Sequence, residues 1–258
     1  MKNKPIEELP GHWLLAKMGK KVLRPGGKEL TTKLVESLDI NNTDDIVEFA
    51  PGLGFTASLS LERRPKSYTA IELSEKAVRD LDHIAQKPNC KIIQADASQT
   101  PLEDDTYDKV YGEAMLTMHA DHRKAEIIKE AHRILKPGGY YGIHELGLVD
   151  IQSEDQKAQI HRDLAKSIRV NARPLSKDEW SNLLEKQGFE VIKIDTNGMK
   201  LLEFGRMVDD EGFWKTLKIC SNIMIRNKIR KRILAMRGVF KKYQHNMNAI
   251  AIIAKKRA

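Results

Sequence analysis

Short apolar runs alternate with amphipathic stretches along this chain, and this alternation predicts a parallel sheet with helical crossovers. Four runs in the first half lead directly into acids, which are Glu48, Glu72, Asp96 and Glu113. Two later runs, over 189–194 and 249–254, predict a sixth and a seventh strand. Because ligands bind at the carboxyl ends of parallel strands, the four acids are expected to surround one site.

Segments with helical periodicity lie between these apolar runs. Residues 27–38 place Leu30, Leu34 and Leu38 on one helical face, and residues 121–135 repeat such a pattern. Ser176 and Glu179 have the spacing of a capping box, which predicts the start of a further helix.

The segment Val47 to Gly54 is the most informative one. An acid, Glu48, closes an apolar run and opens a turn that contains Gly52 and Gly54. Glycine lets a backbone pass close to a ligand, and the helix after such a turn offers free N–H groups. A nucleotide-like ligand therefore fits this turn.

This order of motifs resembles the class I, Rossmann-like S-adenosylmethionine-dependent methyltransferases over roughly residues 44 to 146. Glu48 matches the acid of the family's first motif, Gly52 and Gly54 match its second and third glycines, and Ala50 stands where its first glycine is usual. Leu135 to Gly139 is similar to the family's turn into its fifth strand. The resemblance implies an α/β fold with a seven-stranded sheet of order 3-2-1-4-5-7-6, the last strand antiparallel, and helices on both faces.

The resemblance also implies a cofactor, S-adenosyl-L-methionine, with S-adenosyl-L-homocysteine as its product. In the family, the acid after the second strand binds the ribose hydroxyls, and an Asp-Ala pair after the third strand binds the adenine. The cofactor-binding residues implied in this way are Glu48, Ala50, Gly52, Gly54, Glu72, Leu73, Asp96, Ala97, Gly112 and Glu113.

A nicotinamide-dependent oxidoreductase is the alternative nucleotide-binding interpretation. Its fingerprint is Gly-x-Gly-x-x-Gly followed by an acid about 20 residues later. Counted from Ala50, the glycine positions fall on Ala50, Gly52 and Phe55, so that two of the three are not glycine.

Length and composition suit a single domain with an elaboration, since the chain has 258 residues. We predict an N-terminal substrate-cap segment over 1–26, a nucleotide-binding core over 27–197, a basic helical lid over 198–245, and a final strand with a basic tail over 246–258. Two cysteines do not make a disulfide framework or a zinc site, and we expect no metal. Residues 1–8 do not read as a signal peptide, so we expect a cytoplasmic protein.

Positive charge is concentrated near the end of the chain. Residues 212–258 carry 13 Lys and Arg and no Asp or Glu, whereas residues 1–211 have a net charge of −5. An apolar stripe of Ile225, Ile229, Ile233, Met236 and Phe240 runs through the segment and predicts a helix. Its charged face is either a solvated surface, a site for an anionic substrate or an anionic membrane, or, less favoured, a nucleic-acid surface.

The acceptor is expected to be a small molecule, anionic or apolar. Gly112-Glu113-Ala114-Met115 lacks the motif of base amino-group methyltransferases, and neither cysteine is placed to attack a pyrimidine. The layout is similar to that of ubiquinone and menaquinone biosynthesis methyltransferases. For a general base, His119 and His144 are candidates, and Trp13 and Glu145 are candidates for contact with the substrate. Neither the acceptor atom nor the oligomeric state follows from the sequence.

Overall fold

A computed structural model describes residues 9–257, and the remaining residues of the predicted cap and tail lie outside the described part of the chain. The helices are α1 Gly11–Met18, α2 Gly27–Ser37, α3 Phe55–Glu62, α4 Glu75–Asp80, α5 Asp82–Ala85, α6 Asp121–Ile134, α7 Glu154–Ile168, α8 Lys177–Lys186, α9 Phe204–Glu211, α10 Phe213–Met224 and α11 Asn227–Lys242. The strands are β1 Asp45–Phe49, β2 Ser67–Glu72, β3 Cys90–Gln94, β4 Tyr107–Glu113, β5 Leu135–Leu148, β6 Leu175–Ser176, β7 Phe189–Gly198 and β8 Met247–Lys256.

The sheet has the order β3-β2-β1-β4-β5-β8-β7, and β8 is antiparallel to both of its neighbours. This order confirms the predicted 3-2-1-4-5-7-6, with β7 and β8 as the predicted sixth and seventh strands. One strand was not predicted. The two-residue β6 pairs with the end of β5, and it is too short for its side chains to show a period-two pattern.

Alternate residues of the strands point to opposite faces of the sheet, and each face has its own core. Ile250 and Ile252 of β8 pack with α6 and α8, whereas Ala251 and Ile253 pack with α2 and α3. The predicted capping box is confirmed, since the Ser176 side chain accepts from the Glu179 backbone N–H and the Glu179 side chain accepts from the Ser176 N–H.

A third apolar core, separate from the two sheet cores, lies under the N-terminal helix and the insertion between β7 and β8. Leu14, Leu15 and Met18 of α1 pack there with residues of α7, α10 and α11. The predicted stripe is confirmed except at one position: four of its members are buried, but Ile225 is 72% exposed because it lies in the turn between α10 and α11. Among residues 9–257, none of the helices is long and apolar enough to span a bilayer.

A buried ion pair fastens the insertion to the segment that follows α1. The Lys20 ammonium lies 3.1 Å from the Asp210 carboxylate of α9, and neither side chain is exposed to solvent. The other Asp210 oxygen accepts from the Lys28 backbone N–H at 2.8 Å. A side chain at Gly27 would collide with this carboxylate, because a Cβ there would lie 2.4 Å from it.

Removing one charge of this pair should therefore be costly. Asp210→Asn keeps an acceptor for the Lys28 N–H but leaves the buried Lys20 with only the Glu211 carboxylate, 4.0 Å away, as a countercharge, and we expect the free energy of unfolding to fall by about 3 kcal/mol. Chemical denaturation measures this change. The double variant Lys20→Met/Asp210→Asn removes both charges and should recover most of the loss. An Asp210→Asn variant as stable as the parent would show that the pair does not hold the insertion.

Candidate active site

The glycine turn after β1 has three left-handed residues in five positions. The φ angles are 52° at Ala50, 60° at Gly52 and 74° at Gly54. A left-handed conformation costs a non-glycine residue about 1–2 kcal/mol, so that Ala50 is strained where the family usually has glycine. A Cβ on Gly52 would meet no atom closer than 4.0 Å, so this glycine borders open space in which a ligand can lie against the backbone.

Glu72 ends β2 beside this turn. One of its carboxylate oxygens accepts from the Ser74 N–H at 2.9 Å. Burial raises the pKa of Glu72, and hydrogen bonds from the backbone N–H groups of Ser74, Gly52 and Leu73 oppose the rise. The next side chain, Leu73, is 66% exposed, which is unusual for a leucine directly after a buried strand. An acid and an exposed apolar side chain thus stand together at the edge of the glycine turn.

Asp96 follows β3 and faces the beginning of α6. Its carboxylate accepts from the Ser98 N–H and is ion-paired with Arg123. Desolvation acts to raise the pKa of Asp96, but the bonds from Ser98 and the Arg123 charge outweigh it and lower the pKa. Ala97 is half-buried beside it. His119 lies near this ion pair. Burial lowers the pKa of His119, the charge of Arg123 lowers it further, and the charge of Asp96 opposes the shift.

Glu113, the last residue of β4, is the centre of a buried polar cluster. One carboxylate oxygen accepts from the Thr31 hydroxyl at 2.8 Å and lies 2.7 Å from Nδ1 of His144. The other is bonded to Arg24 and to the hydroxyl of Thr56, the second residue of α3. Desolvation opposes ionisation, but the Arg24 charge and the bond from His144 lower the pKa of Glu113 to about 2. Glu113 is therefore a carboxylate throughout the physiological pH range.

Glu48 lies on β1 near this cluster and behaves in the opposite way. Tyr68 donates to its carboxyl at 2.6 Å and Tyr111 at 3.2 Å. Burial and the Glu113 charge raise the pKa of Glu48 to about 7, against the bonds from the two tyrosines. Two acids on adjacent strands thus differ in charge state near neutral pH. Gly112, which precedes Glu113, is closely packed, since a Cβ there would lie 3.0 Å from the Met115 sulfur and 3.3 Å from the Phe49 carbonyl oxygen.

Two of the predicted residues, the candidate base His144 and the candidate substrate contact Glu145, are buried and hydrogen-bonded to neighbouring parts of the chain. His144 is fully buried, and its Nε2 lies 2.6 Å from the Pro25 carbonyl while its Nδ1 faces Glu113. Both ring nitrogens are engaged, so neither is available to an acceptor. The Glu145 carboxylate accepts from the backbone N–H groups of Met115, Leu116 and Thr117 and therefore holds the turn after β4.

A small apolar pocket, with a cavity volume of about 70 Å³, lies beyond the carboxyl ends of β4 and β5. Its walls come from α1, the turn after β4, the end of β5, the segment after β7, and α11; they include Leu15, Leu23, Met199, Leu201, Met236 and Phe240. Ala114, the residue after Glu113, also lines the pocket, so the pocket adjoins the polar cluster.

The N-terminal helix presents His12 to this pocket, not the predicted Trp13. The centroids of the His12 and Trp13 rings lie 5.3 Å apart with the rings tilted by 50°, and of these two residues His12 is the one in the pocket wall. Burial lowers the pKa of His12 to about 4, so its imidazole is neutral at neutral pH. Glu145 lines the same pocket while its carboxylate faces the turn.

Sequence reasoning missed several residues of the site. Arg24, Thr31, Thr56 and Arg123 hold the acids, and His12 lines the pocket. A basic residue before a Pro-Gly-Gly turn was the one visible signal for Arg24. The position of Thr56 also pointed to the site, because Thr56 belongs to the helix that follows the glycine turn.

Comparisons with known proteins agree with this geometry. A family model described as "Methyltransferase domain" matches residues 47–143. An uncharacterized protein of Haemophilus influenzae is 31% identical over 250 residues, which cover 95% of this chain and 98% of that protein. The chain belongs to the class I S-adenosylmethionine-dependent methyltransferases. This assignment supersedes the oxidoreductase interpretation.

Two further similarities place this methyltransferase in a diverse group. A probable phthiotriol/phenolphthiotriol dimycocerosates methyltransferase of Mycobacterium ulcerans is 30% identical over 105 residues, and the chain spans only 39% of that protein's length. The crystal structure of the cyclase SpnF superposes with a TM-score of 0.71 at 16% identity, over 95% of this chain and 90% of that chain. At this identity the superposition shows a shared fold.

The glycine turn of the methyltransferase allows a matched comparison. A Cβ at Gly54 would lie 2.8 Å from the buried Ile84 side chain, whereas one at Gly52 would meet open space. We expect Gly54→Ala to lower the free energy of unfolding by about 2–3 kcal/mol and Gly52→Ala by about 1 kcal/mol. Both variants strain a residue at a left-handed φ, but only Gly54→Ala also crowds a neighbouring side chain. Thermal and chemical unfolding measure both. Equal losses in the two variants would contradict the packing argument.

Proposed function

We propose that this enzyme binds S-adenosylmethionine at the glycine turn and transfers its methyl group to a small, largely apolar acceptor held in the pocket. The observation that carries the proposal is the adjacency of the two sites. Ala114 lines the pocket and directly follows Glu113, which belongs to the polar cluster at the ends of β4 and β5.

The residues around the turn fit the donor. The open side of Gly52 gives backbone access, the Glu72 carboxylate suits two ribose hydroxyls, and the exposed Leu73 offers an apolar contact to an adenine. Asp96 and Ala97 would hold the far edge of the adenine, at a place where Arg123 already pairs with Asp96. When bound, S-adenosylmethionine supplies an electrophilic methyl group on a positively charged sulfur.

The amino-acid end of the donor would face Glu48 and the polar cluster. The Arg24 guanidinium suits a carboxylate, and the ionised Glu113 favours a positively charged ligand by simple attraction. Glu48, whose pKa is about 7, would ionise more readily when a cation binds beside it. The same groups therefore orient the ligand and stabilise its charge.

In the pocket, the residues of the chain mainly position the acceptor and keep water away from it. An apolar wall excludes water, and alignment of nucleophile, methyl group and leaving sulfur contributes much of the rate of such a displacement. His12 is neutral in the pocket and would orient an acceptor hydroxyl or amine by accepting its hydrogen bond. His144 acts through others in this proposal, because it fixes Glu113 and the Pro25 carbonyl.

The basic insertion supplies walls of the pocket, since Met236 and Phe240 belong to α11. This supports a role of residues 198–245 on the acceptor side. No residue of the insertion is among the groups that we assign to the donor.

Replacement of Glu72 tests the donor site. Hydrogen bonds to a charged acceptor are worth about 1.5–3 kcal/mol each, so Glu72→Ala should weaken binding of S-adenosylmethionine and S-adenosylhomocysteine by at least about tenfold. Isothermal titration calorimetry measures the affinities. Glu75→Ala, an exposed acid on α4, is the matched control and should leave them unchanged. Binding of NADH with no binding of either sulfur nucleoside would overturn the proposed donor.

A pocket-filling substitution tests the acceptor site separately. Met236→Trp should reduce methyl transfer to acceptors from a panel of quinols, phenols, thiols and amines by at least about tenfold, because overfilling a packed site excludes ligand. Donor affinity should not change. Leu234→Trp, an exposed position on the same helix, is the control. Methylation that proceeds equally well in Met236→Trp, assayed with labelled donor, would show that the acceptor binds elsewhere.

A further inference from the structure

Helix α10 has an outward side that is apolar and exposed. Phe213 is 49% exposed, Trp214 81%, Leu217 40%, Met224 58% and Ile225, just after the helix, 72%. Phe213, Leu217 and Met224 recur at intervals of four and seven residues and so share one helical face, with Trp214 and Ile225 beside them. We call these five residues the outer face of α10.

The residues through which α10 packs on the rest of the protein lie on the opposite side of the helix. Thr216 and Ile219 are buried, and Ile219 belongs to the core under α1 and α11. The outer face adds nothing to that core. Aromatic and aliphatic side chains this exposed cost solubility, and a contiguous patch of them marks a surface that binds something.

The charge around the outer face indicates what it binds. No acid occurs between Gly212 and the end of the chain, whereas Lys218, Arg226 and Lys231 are exposed on or next to α10 and on α11. Lys218 lies on α10 between Leu217 and the buried Ile219, and Arg226 directly follows Ile225. Apolar and aromatic residues flanked by cations, without acids, are the composition of helices that lie in a membrane interface.

We propose that the outer face of α10 seats this enzyme on an anionic lipid surface. Trp214 and its apolar neighbours enter the level of the headgroups, and the flanking cations contact lipid phosphates. The helix lies in the plane of the surface and does not cross it, in accord with its 12 residues.

Two other occupants fit less well. A second copy placed symmetrically on this face would bring a second acid-free, cationic insertion against the first, and like charges oppose that contact. Nucleic acid would use the cations but leave five exposed apolar side chains without a partner in the phosphate backbone.

The position of the face gives it a consequence for the reaction. α10 packs against α1, α9 and α11, and α1 and α11 carry walls of the acceptor pocket. Resting on the proposed function, we infer that an apolar acceptor reaches this pocket from the lipid phase. Membrane binding itself needs neither donor nor acceptor, so the two proposals fail in different experiments.

Vesicle flotation with the full chain tests the proposal. Vesicles of phosphatidylcholine mixed with phosphatidylglycerol should bind the protein, and vesicles of phosphatidylcholine alone should bind it at least about tenfold less, with added salt weakening the first. Trp214→Gln/Leu217→Gln should lower binding to the mixed vesicles by at least about tenfold. Ile192→Gln, an exposed apolar residue on β7, is the matched control and should not change binding.

A second set of variants tests the cations. Lys218→Gln/Arg226→Gln/Lys231→Gln should lose most of the preference for anionic vesicles, whereas Lys91→Gln/Lys177→Gln/Lys186→Gln, with the same change in net charge at exposed sites elsewhere, should keep it. Calorimetry with S-adenosylhomocysteine should give the parent affinity in both triple variants, which shows that each is folded.

Tryptophan emission reports which residue enters the lipid. Trp180 is fully buried and Trp214 is the most exposed of the three tryptophans, so mixed vesicles should shift the emission to shorter wavelength. Trp214→Phe should bind the vesicles but lose the shift. Three results would each overturn the proposal: no binding to mixed vesicles at low salt, equal binding by Trp214→Gln/Leu217→Gln, or a dimer in light scattering that this variant dissociates.

Discussion

The carboxylate of Glu113 is the group on which the site depends. Its partners come from four places: Arg24 from the segment after α1, Thr31 from α2, Thr56 from α3 and His144 from β5. A buried ion pair adds little net stability once desolvation is included, but it strongly disfavours every arrangement that separates the charges. These contacts therefore fix helix α3, the segment after α1 and strands β4 and β5 relative to one carboxylate.

The same alignment explains why β5 carries two polar residues in an apolar strand. Consecutive residues of a strand point to opposite faces, so His144 and Glu145 support different structures. His144 reaches Glu113 and the Pro25 carbonyl, while Glu145 accepts three backbone N–H groups of the turn after β4. Between them lies Ala114, held at a φ of 53° and bonded through its N–H to the His144 carbonyl. The strained residue stands where the polar cluster and the pocket meet, between the contacts made by His144 and Glu145.

Sequence reasoning recovered what local pattern determines. The capping box at Ser176 and the stripe from Ile229 to Phe240 follow from periodicity or from a motif of a few residues, whereas the strand order was implied by the resemblance to class I methyltransferases. It could not recover the partners of the acids, since Arg24 meets Glu113 across 89 positions of sequence. It also chose Trp13 as the candidate substrate contact of α1, whereas His12 is the neighbouring ring that lines the pocket, because the rotation of a helix about its axis depends on its tertiary packing. It also made His144 a candidate base and Glu145 a candidate substrate contact from their position at a strand end; in the structure both are buried and hydrogen-bonded, and Glu145 also lines the pocket.

The core under α1, α7, α10 and α11 is separate from the two cores that flank the sheet. Its residues pack on each other and on the ends of β5 and β8, while the sheet's two cores pack on α2, α3, α6 and α8. Substitutions in one core therefore leave the packing of the others largely intact, as sites without shared contacts are close to additive. Two polar contacts also join these elements to the sheet and its helices: Asp210 accepts from the Lys28 backbone N–H of α2, and Arg24 pairs with Glu113 of β4. Directional polar contacts and apolar packing on β5 and β8 together therefore set where α1 and the insertion lie.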